Sequence, residues 1–179
     1  MEPTTVHQGR EGHVGDPATL GIVTVSDRAS KGEYTDEGGP AILKFFSEAI
    51  KSPLTVIYRC IPDDVEAIQS ALIELVDVQG CHVVVTTGGT GPAARDVTPE
   101  ATEAVCDRMM PGFGEQMRAI SLAYVPTAIL SRQVGGLRGS SLVFNLPGRP
   151  KSIRETIDEI WKAVPLSLIH ISEPTRPIA

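Results

Sequence analysis

The sharpest chemical feature of this chain is the stretch Thr86-Thr87-Gly88-Gly89-Thr90-Gly91-Pro92. Glycines let a backbone approach an anion closely, and successive N–H groups form a nest for phosphate. The stretch is neither a GxxxxGK[ST] loop nor a GxGxxG fingerprint, and a tight strand-to-helix turn is the alternative. Two carboxylates, Asp63 and Asp96, each lie just past a strand-like run. Such carboxylates suit Mg²⁺, which takes oxygen ligands and commonly bridges one or two carboxylates to substrate phosphates. A helix N-cap is the competing role for Asp63; a turn residue, or a partner for Arg95, is the competing role for Asp96. Ser26 and Asp27 open a polar loop. Asn145, ahead of Pro147 and Gly148, offers both donor and acceptor to a heterocycle, unless Asn145–Pro150 is a plain turn. Arg118, Arg132, Arg138 and Arg149 are candidate phosphate ligands or solvated surface charges. There is no GxSxG elbow, and His7, His13, His82 and His170 sit where none serves as a catalytic base or metal ligand. Positioning and metal electrostatics, as in phosphoryl transfer, are the chemistry left.

These residues need a scaffold. Leu20–Val25, Leu54–Cys60, His82–Thr86 and Ser141–Leu146 are short, apolar and rich in β-branched residues, so they predict buried strands. Pro40–Ile50, with Ile42, Phe46, Ala49 and Ile50 on one face, predicts a helix. So does Asp63–Val78, whose stripe is Val65, Ile68, Leu72, Leu75 and Val76. Thr98-Pro99 is expected to cap and start a third helix; Pro111–Tyr124 and Lys151–Ala163 complete the set. Strands alternating with helices imply a parallel or mostly parallel sheet covered on both faces. In such sheets ligands bind at the carboxyl ends of the strands. Ser26–Asp27, Pro62–Asp63, Thr87–Asp96 and Asn145–Arg149 all follow strands, so they are expected on one rim.

Composition narrows the function classes. The chain has 179 residues, 41% hydrophobic and 21% charged, with a formal charge of -6. That suits one domain with a sizeable core and argues against a general nucleic-acid or membrane-surface binder. No segment approaches the ~20 apolar residues of a membrane span. Cys60, Cys81 and Cys106 are scattered, with no CxxC pair, which points to a reducing, cytoplasmic compartment and core thiols. Residues 1–19 lack an apolar h-region and are expected to be a disordered lead-in rather than a signal peptide.

In combination the motifs resemble a known family. Val25-Ser26-Asp27-Arg28-Ala29-Ser30 with Tyr34, Asp36, Gly38 and Pro40 is similar to the opening of MogA-type molybdopterin adenylyltransferases. Ile61-Pro62-Asp63 and Thr86–Thr102 (TTGGTGPAARDVTPEAT) resemble the family's most diagnostic stretches. Pro111–Gln133 resembles MogA more than the sister family MoaB, and Asn145–Ile153 (NLPGRPKSI) completes the set. The resemblance implies a three-layer α/β/α domain with a mostly parallel central sheet over residues 20–165, assembled as a homotrimer. It implies transfer of AMP from MgATP to the terminal phosphate of molybdopterin, with release of pyrophosphate. The product would pass to a molybdenum-insertion protein. The family's two essential aspartates fall on Asp63 and Asp96, as catalytic and Mg²⁺-binding residues. Ser26, Asp27, Gly88, Gly89, Thr90, Gly91, Asn145, Pro147 and Gly148 are the corresponding substrate- and nucleotide-binding candidates. A non-catalytic trimeric molybdopterin-binding module is the alternative from another class; retention of both aspartates argues against it.

The pattern stops after Pro165. Leu166–Ala179 (LSLIHISEPTRPIA) has no caps and no sustained amphipathic period, and it resembles a translated sequencing adapter. It is expected to be a non-native tail. A clean, reproducible coding sequence across this junction would overturn that expectation.

Overall fold

The four β-branched runs do form the centre of one sheet. A computed structural model describes residues 4–6 and 17–165. Its strands are β1 (Thr4–Val6), β2 (Ala18–Val25), β3 (Leu54–Ile61), β4 (Val83–Thr87), β5 (Arg108–Met109), β6 (Gly135–Arg138) and β7 (Ser141–Leu146). They lie in the order β1-β3-β2-β4-β7-β6-β5. The central four, β3, β2, β4 and β7, run parallel. The edges are antiparallel.

Period-two alternation decides which side chains enter which layer. Leu20 and Ile22 of β2, Val83 and Val85 of β4, and Leu142, Phe144 and Leu146 of β7 share one buried cluster. That cluster is covered by α2 (Gly38–Ala49), α5 (Pro111–Leu122) and α6 (Pro150–Ile160). The intervening Val23, Val25, Val84 and Val143 face the other way, under α3 (Val65–Ile73) and α4 (Thr98–Val105). A single turn, α1 (Asp27–Ser30), follows β2. The expected three-layer α/β/α architecture is therefore the one observed. Among the described residues no helix is long and apolar enough to cross a membrane.

Several local expectations change. The helix read from Asp63 starts at Val65 and closes in a π turn, Glu74–Val78. Its N-cap is Asp64, whose carboxylate accepts from the Ala67 N–H at 2.9 Å, so Asp63 is released from that role. Thr98 does not cap α4 either; Val97 holds the cap position without a side-chain bond. β1, β5 and β6 lack a clear strand signal in the sequence. β6 opens with Gly135-Gly136, a pair depleted in strands. A Cβ at Gly135 would sit 2.7 Å from Phe113 Cβ, and one at Gly136 would sit 2.8 Å from the Arg108 carbonyl oxygen. Packing, not propensity, selects glycine there. Thr4–Val6 pairs with β3 where a disordered lead-in was expected; residues 1–3 and 7–16, and the tail 166–179, lie outside the described residues.

Phe46 joins α2 to α6. Its ring meets Phe45 at 5.6 Å and Trp161 at 5.4 Å between centroids, both edge to face, and it is 1% exposed. Truncation leaves a cavity in a dense core, so Phe46→Ala should lower unfolding free energy by about 3–5 kcal/mol. Val78→Ala, on a side chain that is 74% exposed, should change it by no more than about 0.5 kcal/mol. Urea unfolding of the two variants checks the contrast.

Candidate active site

Because β3, β2, β4 and β7 are parallel neighbours, the loops that leave them meet on one rim. The first contact is between the loops after β2 and β3. The Ser26 N–H donates to the Ile61 carbonyl at 2.9 Å, and the Ser26 hydroxyl caps α1 by accepting from the Ala29 N–H at 3.2 Å. Next to it, the Asp27 N–H donates to Asp63 Oδ2 at 2.8 Å and the Asp63 N–H donates to Asp27 Oδ1 at 3.0 Å.

The glycine-rich loop after β4 wedges into this rim. Gly88 and Gly89 have φ of 93° and 66°, a left-handed region that disfavours side chains. A Cβ at Gly88 would lie 2.3 Å from the Val25 carbonyl oxygen. One at Gly89 would lie 2.4 Å from Thr98 Oγ1 and 3.2 Å from Asp63 Oδ1. One at Gly91 would lie 2.8 Å from Asp96 Oδ2. The loop thus brings both aspartates to its own backbone. Thr98 ties it down: its hydroxyl donates to the Gly88 carbonyl at 3.0 Å and its N–H to the Gly89 carbonyl at 3.1 Å. Arg132 braces it from below, donating to the carbonyls of Gly91 at 2.8 Å and Asp96 at 2.5 Å while pairing with Glu100. The Arg132 N–H also donates to the Thr90 carbonyl at 2.9 Å.

The carboxylates differ in environment. Burial pushes Asp63 above its usual range; Asp27 and Asp96 nearby add to that, while the Asp27 N–H and Arg95 oppose it. Asp27 is lowered, first by its hydrogen bond from Arg95. Asp96 Oδ2 accepts from the Ala93 N–H at 3.0 Å, which gives it the turn role as well. Arg95 pairs with Asp27, not with Asp96. Among the described residues, Asp63 Oδ1 and Asp96 Oδ1 accept no hydrogen bond. Unengaged carboxylate oxygens of this kind are the hard donors that magnesium takes. Among the described residues no group of three or more His, Cys, Asp or Glu is arranged to hold a metal alone.

Beside the loop is a cleft of about 200 Å³, lined by Thr24, Ser26, Tyr34, Asp36, Gly38, Thr87, Gly88 and Gly148 among others. Thr87 donates to the Pro147 carbonyl at 2.8 Å, which joins the turn after β7 to the glycine loop. A Cβ at Gly148 would be 3.7 Å from Gly88 Cα. Asp36 organises the far wall, a site role that sequence reasoning missed. It accepts from the N–H groups of Gly38 and Gly39 at 3.0 and 3.2 Å, from Thr24 Oγ1 at 2.9 Å and from the Tyr58 hydroxyl. An Asp two residues before a glycine pair is a recognisable turn signal; its partners on β2 and β3 are not.

Asn145 requires correction. It is 0% exposed. Its amide donates to Thr86 Oγ1 at 2.9 Å and Thr102 Oγ1 at 3.0 Å, and its oxygen accepts from the Val134 N–H at 3.2 Å. The amide is consumed inside the domain and ties β7 to β4 and α4, so it does not face a heterocycle. Asp27 likewise spends both carboxylate oxygens internally, on Asp63 and Arg95. Of the four arginines, Arg132 serves the loop. Arg118 donates to the Gln133 carbonyl at 3.0 Å and Arg138 pairs with Asp77; both are taken up structurally. Arg149 precedes α6. Burial pushes Cys81 up to about 12 and Cys106 up to about 11 and raises Cys60, all away from the thiolate form.

A glycine loop and two aspartates on the carboxyl rim of a mostly parallel sheet place this chain among α/β domains with a loop-built candidate site. Residues 21–165 match the family described as "Probable molybdopterin binding domain", and the chain belongs to that family. Among its relatives, the molybdopterin adenylyltransferase of Escherichia coli K12 is 56% identical over 151 residues, which cover 84% of this chain and 77% of the relative. The solved MoaB of Thermus thermophilus superposes with a TM-score of 0.79 at 38% identity, covering 89% of this chain and 99% of that one. The Mog protein of Mycobacterium ulcerans also gives 0.79, at 37% identity, covering 87% and 99%. The kinship expected from the motifs is thus borne out.

Asn145→Leu removes an amide of similar size and strands the groups it serves. Unfolding free energy should drop by about 1–3 kcal/mol, read from the urea midpoint. An unchanged midpoint would contradict the internal role.

Proposed function

We propose that the chain is a molybdopterin adenylyltransferase of the molybdenum-cofactor pathway, acting in the cytoplasm as a homotrimer. The observation that carries this is the convergence of Asp63 and Asp96 on the Gly88–Gly91 backbone, in a chain whose relatives bear that name. An oxygen of the terminal phosphate of molybdopterin attacks the α-phosphorus of ATP in line. A new P–O bond forms, the bond from the α-phosphorus to the oxygen of the departing pyrophosphate breaks, and that oxygen keeps the electron pair. A phosphate dianion needs no base to become a nucleophile, which agrees with a rim that carries no histidine among the described residues. Held by Asp63 and Asp96, Mg²⁺ would supply positive charge against the leaving pyrophosphate.

The chain itself supplies positioning. The Gly88, Gly89, Thr90 and Gly91 backbone gives close approach to phosphate. Ser26 and Gly148 border the cleft that receives the rest of the substrate, and Pro147 is tied to its wall through Thr87. Arg132 and Thr98 fix the loop from behind, so its geometry is set before substrate arrives. Free, scattered cysteines support the cytoplasmic location. A run of exposed apolar side chains, Leu122, Tyr124, Val125, Ile129 and Leu130, supports self-association.

With MgATP and molybdopterin the protein should form adenylylated pterin. Asp63→Ala and Asp96→Ala should each reduce kcat/KM by roughly 10²–10³-fold or more, the scale of losing one group that stabilises a transition state, and chelating the divalent cation should stop turnover. Binding of molybdopterin without any product would favour the silent binding module instead. In sedimentation the wild type should run at three times the chain mass, and Ile129→Asp should shift it toward monomer; a monomeric wild type would contradict the trimer.

A further inference from the structure

A chain of hydrogen bonds runs from Arg95 through Asp27 to Asp63. Asp27 uses every polar atom it directs there. Its N–H goes to Asp63 Oδ2 at 2.8 Å, its Oδ1 accepts the Asp63 N–H at 3.0 Å, and its Oδ2 accepts Arg95 Nε at 3.1 Å together with Nη2. The contacts are reciprocal: the Asp27 carboxylate holds the Asp63 N–H and the Asp27 N–H holds the Asp63 carboxylate, so a rotation of the Asp27 carboxylate is passed to the backbone from which the Asp63 side chain springs. Arg95 holds the outer oxygen and, with the Asp63 N–H on the inner one, opposes that rotation. Asp63 Oδ2 is thereby engaged, and Oδ1 is left toward Gly89, 3.2 Å from the point where a Cβ would stand. The three residues come from the loops after β4, β2 and β3, so no local preference would bring them together.

The Arg95 side chain is 67% exposed. An ion pair that open adds little to folding, so its value has to be sought elsewhere. The other arginine of this loop region, Arg132, is committed to carbonyls and Glu100. We infer that Arg95 and Asp27 are positioning residues for the adenylyl transfer: Arg95 clamps Asp27, and Asp27 sets the orientation of Asp63 toward the glycine loop. The inference rests on the adenylyltransferase reading. It differs from a direct role, in which Arg95 would grip a substrate phosphate itself.

The two roles predict different kinetics. Acting through Asp27, Arg95→Ala should lower kcat about 10–100-fold, the scale of a misplaced catalytic group, with KM for ATP changed less than about threefold. Arg95→Lys should recover most of the loss. Asp27→Asn combined with Arg95→Ala should be no worse than Asp27→Asn alone, as for residues acting in series. In the protein without substrate, amide hydrogen exchange at Asp27 and Asp63 should quicken in Arg95→Ala and not in Arg95→Lys. A raised KM for ATP with kcat retained, additive losses in the double variant, or unchanged exchange at both amides would each overturn the relay. Were the wild type to make no adenylylated pterin, the adenylyltransferase reading would fall, and the exchange comparison would still decide whether Arg95 sets Asp63.

Discussion

Parallel strands that lie side by side must all finish on the same edge of their sheet. That constraint underlies everything else in this protein. β3, β2, β4 and β7 pair in register, so the residues that follow them converge although Asp27, Asp63, Gly88 and Gly148 are far apart in the chain. Both faces of these strands are buried, so a one-residue shift would send every core side chain into the opposite layer, against helices packed for different side chains. Where the strands end, the alternation gives way to Thr86 and Asn145, paired partners on the α4 side whose side chains bond to each other. The core therefore closes with a satisfied polar joint just beneath the ligand rim. No buried side-chain polar atom among the described residues lacks a partner.

The rim is acidic, yet the ligands it is built for are anions. The geometry resolves this by separating the charges. Asp27 is neutralised by Arg95, and Asp36 is enclosed by two backbone N–H groups and two hydroxyls. Asp63 keeps Oδ1 free beside Gly89, and Asp96, whose Oδ2 lies against Gly91, accepts no hydrogen bond on Oδ1 among the described residues. Partial burial disfavours the charged form of Asp63, and a bound cation is what would make that charge favourable. The cleft and the aspartates lie against one glycine loop, so one ligand can engage both.

Much of this was legible in the sequence, for reasons that can be named. Central strands announce themselves because burial on both faces demands runs such as Val83–Thr87. The glycine loop and the two aspartates stood out because their spacing from strand ends is local. Edge strands did not: Arg108–Met109 is two residues long, and Gly135-Gly136 has the composition of a turn. Partner choice was the harder matter. Asp64 rather than Asp63 takes the helix cap, Arg95 turns to Asp27 rather than Asp96, and Thr98 reaches back to Gly88 instead of capping its own helix. Each of these is a competition between near neighbours that only the folded chain decides. Asn145 looked like a ligand contact for the same reason: an amide suited to a heterocycle is equally suited to two threonines and a backbone N–H.

In the proposed reaction the adenylyl group moves, not the terminal phosphoryl group. Incubation with molybdopterin and MgATP labelled at either the α- or the γ-phosphorus tests it most directly. The α-label should enter the pterin product and the γ-label should leave as pyrophosphate. Label from the γ-position in the pterin, or release of γ-label as inorganic phosphate alone, would contradict it.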